Sequence, residues 1–168
     1  MAATLNGGSN VSYKAFFSPD GRFVVTKAFS EKAQLRRVMD GKLMSVLKGH
    51  KDNIRDVAFS PDGKLVATAS DDKTTMVWIV PDGEQVATLK GKRDSIYSVR
   101  FSSDGKLLIT ASDDGVAQVW NSSDWNLIFG IRGRRDSNDD TYITAVLSPD
   151  NRFLITASRD NNQGVANF

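Results

Sequence analysis

One histidine and three pairs of adjacent aspartates are the residues of this sequence that could take part in catalysis. His50 lacks the companions that a nucleophile triad or a zinc site requires, because the 168 residues contain no second histidine and no cysteine. The pairs are Asp71-Asp72, Asp113-Asp114 and Asp139-Asp140. Adjacent residues in a turn do not by themselves place two carboxyl groups across a substrate, as glycoside hydrolysis needs. The sequence therefore predicts no catalytic residues, no metal site and no cofactor.

The composition is that of an ordinary globular chain. Charged residues make up 25% of it and the formal net charge is +2, far below the concentrated positive charge of a dedicated nucleic-acid binder. No apolar stretch approaches the roughly 18 residues that a membrane span needs, and residues 1–10 lack the pattern of a secretory signal. The absence of cysteine fits a reducing compartment, so we expect a cytoplasmic location.

Four turn segments recur along the chain at nearly constant intervals. Their first residues are Ser18, Ser60, Ser102 and Ser148, which lie 42, 42 and 46 residues apart. Ser-Pro-Asp-Gly occurs twice, and Ser-Ser-Asp-Gly and Ser-Pro-Asp-Asn occur once each. Because proline fixes φ and glycine accepts a positive φ, these segments predict tight turns. An interval of about 40 to 45 residues is typical of propeller blades.

Short alternating apolar segments flank each turn and predict strands. Val57 and Phe59, for example, precede the second turn, and β-branched residues follow it. Four short strands per interval make a four-stranded antiparallel sheet. We therefore predict an all-β chain that forms four such sheets within a single domain, residues 1–168. The units are residues 12–48, 54–90, 96–132 and 142–168, with residues 1–6 as a candidate closing outer strand.

The second and third units carry residues that resemble a known repeat. In the second unit they are Gly49-His50, Ser70, Asp72 and Trp78, and in the third Ser112, Asp114 and Trp120. This pattern resembles the WD-repeat (Trp-Asp repeat) β-propeller family, over essentially the whole chain. The resemblance implies that His, Ser, Asp and Trp form a buried hydrogen-bonded tetrad with a structural role. A buried indole N–H and a buried imidazole need such partners.

The match is complete only in the second unit. Lys92 stands where the third unit would have its histidine, and Arg36 stands at the tryptophan position of the first. The Trp-Asp dipeptide itself is missing from both units, since Ile79 follows Trp78 and Asn121 follows Trp120. These departures predict lower stability in the units concerned, without removing the period.

Residues near the N-terminus resemble the outer strands of the repeat. The segment Ala3-Thr4-Leu5-Asn6-Gly7 matches Ala87-Thr88-Leu89-Lys90-Gly91 at four of five positions. Such a strand could complete the sheet left unfinished at the C-terminus, which is how rings of this family close. Four blades are fewer than these rings usually have, and an open arc exposes strand edges. The alternatives are a partial ring within a longer chain, two copies forming an eight-bladed ring, and a tight four-bladed ring.

The loops that join outer to inner strands share one face of the disc in this family, and here they carry basic and aromatic side chains. We predict that the partner-binding residues are Arg55, Lys73, Arg93, Tyr97, Arg134, Arg135 and Tyr142. Arginine and tyrosine are frequent anchors in protein interfaces. The competing interpretation is a solvated rim whose charge is balanced by Asp94, Asp136 and Asp140.

The residues and the resemblance together predict a non-catalytic scaffold that holds a protein or peptide on this face. Self-association into a two-copy ring is a further expectation. The alternative function is binding of nucleic acid or an anionic ligand by the cluster Arg132, Arg134 and Arg135. Binding of that kind would weaken steeply with salt, and the small net charge favours the scaffold.

Overall fold

The structure is a computed structural model that describes residues 14–28, 30–91, 94–132, 141–159 and 164–167, without the side chains of 141–143, 158, 159 and 164–167. All regular structure in these residues is β. The strands are β1 (Lys14–Phe17), β2 (Phe23–Lys27), β3 (Lys32–Arg37), β4 (Leu43–Lys48), β5 (Ile54–Phe59), β6 (Leu65–Ser70), β7 (Thr74–Ile79), β8 (Gln85–Lys90), β9 (Ile96–Phe101), β10 (Leu107–Ser112), β11 (Val116–Asn121), β12 (Leu127–Arg132), β13 (Thr141–Leu147), β14 (Leu154–Arg159) and β15 (Gly164–Asn167).

The strands form four antiparallel sheets in chain order. The first sheet is β1-β2-β3-β4, the second β5-β6-β7-β8 and the third β9-β10-β11-β12, while the fourth has the three described strands β13-β14-β15. The predicted all-β fold of repeated antiparallel sheets is confirmed for the described residues. Residues 1–6, the predicted closing strand, lie outside the described residues.

The turn between the first two strands of each sheet is built by its serine and aspartate. In the second sheet Ser60 Oγ donates to Asp62 Oδ1 at 2.6 Å and accepts the N–H of Leu65 at 2.9 Å. Gly63 then adopts φ +71°, a conformation that costs glycine little. Equivalent serine–aspartate hydrogen bonds occur in the other three sheets. The recurrent sequence segment therefore forms the same turn four times.

The hydrophobic core lies between sheets. One cluster combines Val25, Leu35 and Leu47 of the first sheet with Ile54 and Trp78 of the second. Two further clusters join the second sheet to the third and the third to the fourth. None of these three clusters, which comprise described residues only, combines the first sheet with the fourth. The sheets therefore pack face to face as successive blades, through three junctions.

The part of the chain that the structure describes has no helix with the length and apolar character to span a membrane.

Candidate partner-binding face

The face predicted to bind a partner is shaped by one unpaired residue in each of the first strands of the second and third sheets, β5 and β9. In β5, Ile54 pairs with Ser70 and Asp56 with Ala69, which leaves Arg55 as a bulge. Tyr97 takes the same place in β9. A β-bulge redirects the side chain that it carries away from the regular ladder. The backbone therefore turns Arg55 and Tyr97 towards the same end of neighbouring blades.

Arg55, Asp71 and Tyr97 form one contact cluster across the junction of the second and third sheets. Arg55 Nε donates to Asp71 Oδ1 at 2.7 Å, and Arg55 Nη2 lies 2.6 Å from Asp71 Oδ2. The guanidinium also lies over the Tyr97 ring, 5.4 Å from its centroid. The two-point carboxylate contact and the cation–π contact both restrict the arginine side chain. This cluster is preorganised and partly exposed.

The pKa values of Arg55 and Tyr97 are both raised in this cluster. The hydrogen bond with Asp71 raises the pKa of Arg55 above its ordinary value, against the smaller opposing effect of burial. Burial raises the pKa of Tyr97, and the nearby negative charge of Asp113 adds to the rise. The face therefore offers a permanent cation and a neutral phenol hydroxyl, which suits recognition better than proton transfer.

Lys27 supports this cluster from the first sheet. Its side chain is buried, and Nζ donates to the carbonyl oxygen of Ile54 at 2.6 Å, immediately before the Arg55 bulge. Burial is the main cause that lowers the pKa of Lys27, and the positive charges of Lys14 and Arg55 lower it further. The contact holds the backbone of β5 at the point where the bulge begins.

Behind the face, the second sheet contains a chain of buried hydrogen bonds. Trp78 Nε1 donates to Thr68 Oγ1 at 3.0 Å, Thr68 Oγ1 lies 2.8 Å from His50 Nε2, and His50 Nδ1 lies 2.8 Å from Asp72 Oδ2. Both ring nitrogens of His50 therefore have a hydrogen-bond partner. This series of hydrogen bonds links the core at Trp78 to the loop that precedes β5.

Asp72 anchors that chain as a carboxylate. Burial acts to raise the pKa of Asp72, but hydrogen bonds from Thr74, the backbone N–H of Lys51 and His50 outweigh it, and the net pKa lies below its ordinary value. The N–H of Lys51 is 2.9 Å from Asp72 Oδ2. Asp72 therefore fixes the loop after His50 and orients the imidazole.

The predicted tetrad needs a correction, because Thr68 and not Ser70 bridges Trp78 and His50. Ser70 Oγ instead donates to the carbonyl oxygen of Asp52 at 3.0 Å and accepts the N–H of Asp72 at 3.1 Å. The two hydroxyls lie two residues apart on one strand and so point to the same side. Only Thr68 lies within reach of the indole.

The third sheet contains the tryptophan–threonine hydrogen bond and the buried aspartate of this arrangement, but its sequence has no histidine to link them. Trp120 Nε1 donates to Thr110 Oγ1 at 3.1 Å. Ser112 Oγ donates to Asp114 Oδ1 and to the carbonyl oxygen of Val116, and Asp114 is buried. Here too Ser112 serves the turn, and Thr110 contacts the indole. The sequence has Lys92 where a histidine would join the halves.

The other predicted face residues have different outcomes. Lys73 is exposed and adopts φ +71°, where the third sheet has Gly115. Arg93, Arg134 and Arg135 lie outside the described residues. Tyr142 pairs with Ser158 in the way that Ile54 and Ile96 pair with the equivalent serines of their sheets. Its backbone therefore lies in the regular ladder and not at the bulge, which Arg55 and Tyr97 occupy in β5 and β9. Ile143 takes that place, because Thr144 pairs with Ala157. Tyr142 therefore does not occupy the bulge position, and its part in partner binding stays a prediction.

Sequence reasoning missed Lys27, Thr68, Thr110 and the role of Asp71. Asp71 had a usable signal, since an aspartate adjacent to a turn and on the face of an arginine-bearing strand is a natural ion-pair partner. Lys27 had none, because a lysine at the position of Ala69 and Ala111 is not expected to be buried. Among the described residues, no group of three or more His, Cys, Asp and Glu side chains could hold a metal ion.

A family model agrees with the repeated sheets. The model of the WD domain, G-beta repeat, matches residues 41–78, 83–121 and 133–162. These matches cover more than half of the 168 residues. No curated protein matches the chain significantly. WD40 domains generally bind proteins or peptides and are typically non-catalytic scaffolds. With its repeated four-stranded sheets and these three matches, the chain belongs to the WD40 repeat family.

Proposed function

We propose that this chain is a non-catalytic scaffold that binds a protein or peptide on the face around Arg55, Asp71 and Tyr97. The observation that carries the proposal is the preorganised cluster, in which the Arg55 guanidinium is held by Asp71 and lies over Tyr97. An arginine and a tyrosine that are already ordered lose little side-chain entropy on binding. Both residue types are also frequent among interface hot spots.

The cluster suits a partner with hydrogen-bond acceptors and an apolar surface. Asp71 neutralises much of the Arg55 charge, and this makes the site less dependent on a strongly anionic ligand. Rigid sheets on either side fix the separation between the two anchors, and sites on strands are held more precisely than sites on loops. The scaffold therefore acts by fixed display, and we expect it in the cytoplasm, where a fluorescent fusion would locate it.

Peptides selected on the wild-type chain from a random displayed library test this proposal. The double variant Arg55→Ala/Tyr97→Ala should weaken their binding by about tenfold or more, equivalent to about 1.4 kcal/mol. Lys64→Ala/Lys106→Ala is the matched control, because both lysines are exposed at the opposite ends of the strands. If Arg55→Ala/Tyr97→Ala keeps both its circular dichroism spectrum and its affinity for the peptides, the binding site lies elsewhere on the protein.

Nucleic-acid binding is the alternative, and only part of its proposed site is described. Arg132 lies exposed at the end of β12, while Arg134 and Arg135 lie outside the described residues. Because phosphate contacts release counterions, binding of this class must fall steeply as salt rises. We expect no binding of a single-stranded or duplex oligonucleotide at physiological salt. Salt-sensitive binding that Arg132→Ala weakens would favour the alternative.

A further inference from the structure

At each junction between two sheets, the same two strand positions pack into one core cluster. One is the last residue of the first strand in the later sheet. The other is the first residue of the second strand in the earlier sheet. The pairs are Phe23 with Phe59, Leu65 with Phe101, and Leu107 with Leu147. In all three junctions both members are partly buried by the cluster that they share.

Two phenylalanines occupy the same positions without such a cluster. Phe17 ends β1, as Phe59 ends β5, yet it is 64% exposed. The carbonyl oxygen of Phe153 accepts the N–H of Ser148, as that of Leu65 accepts the N–H of Ser60, and Phe153 is 56% exposed. Phe17 lies on the free side of the first sheet and Phe153 on the free side of the fourth. These are the two positions that a further junction of the same kind would bring together.

The turns show the same two halves. A Cβ added to Gly63 would meet Pro19 of the preceding sheet at 3.8 Å, and one added to Gly105 would meet Pro61 at 3.5 Å. At the equivalent Gly21 no described atom lies within 4 Å. Pro149, the equivalent of Pro19 in the fourth sheet, is exposed. A fourth sheet placed before a first sheet would bring Pro149 to Gly21 as well as Phe153 to Phe17.

We propose that a second copy of this chain forms that junction, so that two copies close a ring of eight sheets. Both halves are present on every copy and have the apolar character of the three existing junctions. Within one chain the two halves remain open among the described residues. Because each copy carries both halves, two copies can cover each other's open faces in one closed assembly with two-fold symmetry. The inference does not rest on the proposed binding face.

Cysteine cross-linking tests the junction directly, because the chain has no cysteine of its own. The double variant Phe17→Cys/Phe153→Cys, treated with a short bismaleimide, should give a band of about 37 kDa on a denaturing gel, twice the 18.4 kDa chain. The single variants Phe17→Cys and Phe153→Cys should give no cross-linked dimer, because each cysteine would then face a phenylalanine. They are also the controls for folding.

Each other outcome overturns the proposal in its own way. A double variant that reacts only within one chain and stays at 18.4 kDa would show closure of a four-sheet ring. A ladder of higher multiples would show open head-to-tail polymers, and cross-linking of either single variant would show a like-with-like interface. Light scattering of the unmodified chain should also give about 37 kDa, and Phe153→Glu should reduce this mass to 18.4 kDa.

Discussion

Thr68 is the residue on which the buried polar groups of the second sheet depend. It is fully buried, and its hydroxyl oxygen contacts both the indole N–H of Trp78 and Nε2 of His50. Removing one member of a buried hydrogen bond leaves its partner desolvated without compensation. Thr110 has a similar contact with Trp120 but no histidine beside it in the sequence.

Replacing Thr68 by valine, which keeps the shape and removes the hydroxyl, should therefore destabilise the protein. We expect a loss of about 2–3 kcal/mol in the free energy of unfolding, because two buried groups lose their partner. Urea denaturation measures it. Thr110→Val is the matched control and should cost less, since only one indole N–H is affected. Equal costs for the two variants would contradict the hydrogen-bonded chain.

Trp78 and Trp125 allow a second comparison at the same scale. Trp78 is 2% exposed within the junction of the first two sheets, whereas Trp125 is partly buried against the next junction. Trp78→Ala should cost about 3–5 kcal/mol because it leaves a cavity in the core. Trp125→Ala should cost less. Comparable losses in thermal or urea unfolding would mean that the core is not where the buried clusters place it.

Spacing alone identified the buried tryptophans and the histidine, but not which hydroxyl lies between them. Ser70 and Thr68 are two residues apart on β6, so both point to the same side, and only the cross-strand register separates them. The position of Tyr142 relative to the bulge also follows from register. The insertion before β13 lengthens the last interval to 46 residues, so the position equivalent to Tyr97 is Ile143, where the bulge lies, and not Tyr142.

At the scale of elements, the serine–aspartate turns were predictable because their chemistry is local. Proline, aspartate and glycine select the turn without help from the rest of the fold. Each aspartate accepts a hydrogen bond from its serine, and these bonds are the first cause that lowers the pKa of Asp20, Asp62, Asp104 and Asp150 below the ordinary 3.8. The four turns therefore share one pH dependence.

The lowered pKa values predict loss of stability in acid. The folded state favours the carboxylates, so their contribution is fully present above the ordinary pKa and is lost as pH falls through the folded values, below 3.8. The midpoint of thermal unfolding should be steady between pH 7 and 5 and decrease below pH 4. A variant with all four aspartates changed to asparagine should show a smaller decrease. An equal decrease in that variant would assign the acid sensitivity to other groups.

The outer strands show where sequence pattern stops being informative. Leu47 and Leu89 are buried, while Ile131, at the equivalent position of β12, is 43% exposed. The first two pack in clusters with Trp78 and Trp120 of the following sheet. No tryptophan follows Trp125 in the sequence, so the fourth sheet has none to cover Ile131. Its exposure depends on the neighbouring sheet and cannot be read from β12 itself.

At the scale of the whole molecule, the repeat has two consequences that follow from packing rather than from any single site. Blades that bury one face against the next form a rigid array, and this holds Arg55 and Tyr97 at a fixed separation. The same packing leaves the first and last faces open, with Phe17 and Phe153 exposed. Sequence predicted the number of repeats and their strands, whereas the pairing of faces required the junction contacts.

Amide hydrogen exchange, read by mass spectrometry, tests the repeated stacked sheets most directly. Protection should recur every 42 residues, with slow exchange in β6 and β7 and equally in β10 and β11, and fast exchange in the turns at 60–64 and 102–106. Protection of one of these strand pairs with rapid exchange of the other would contradict the account, as would protection that continues unbroken through the turns.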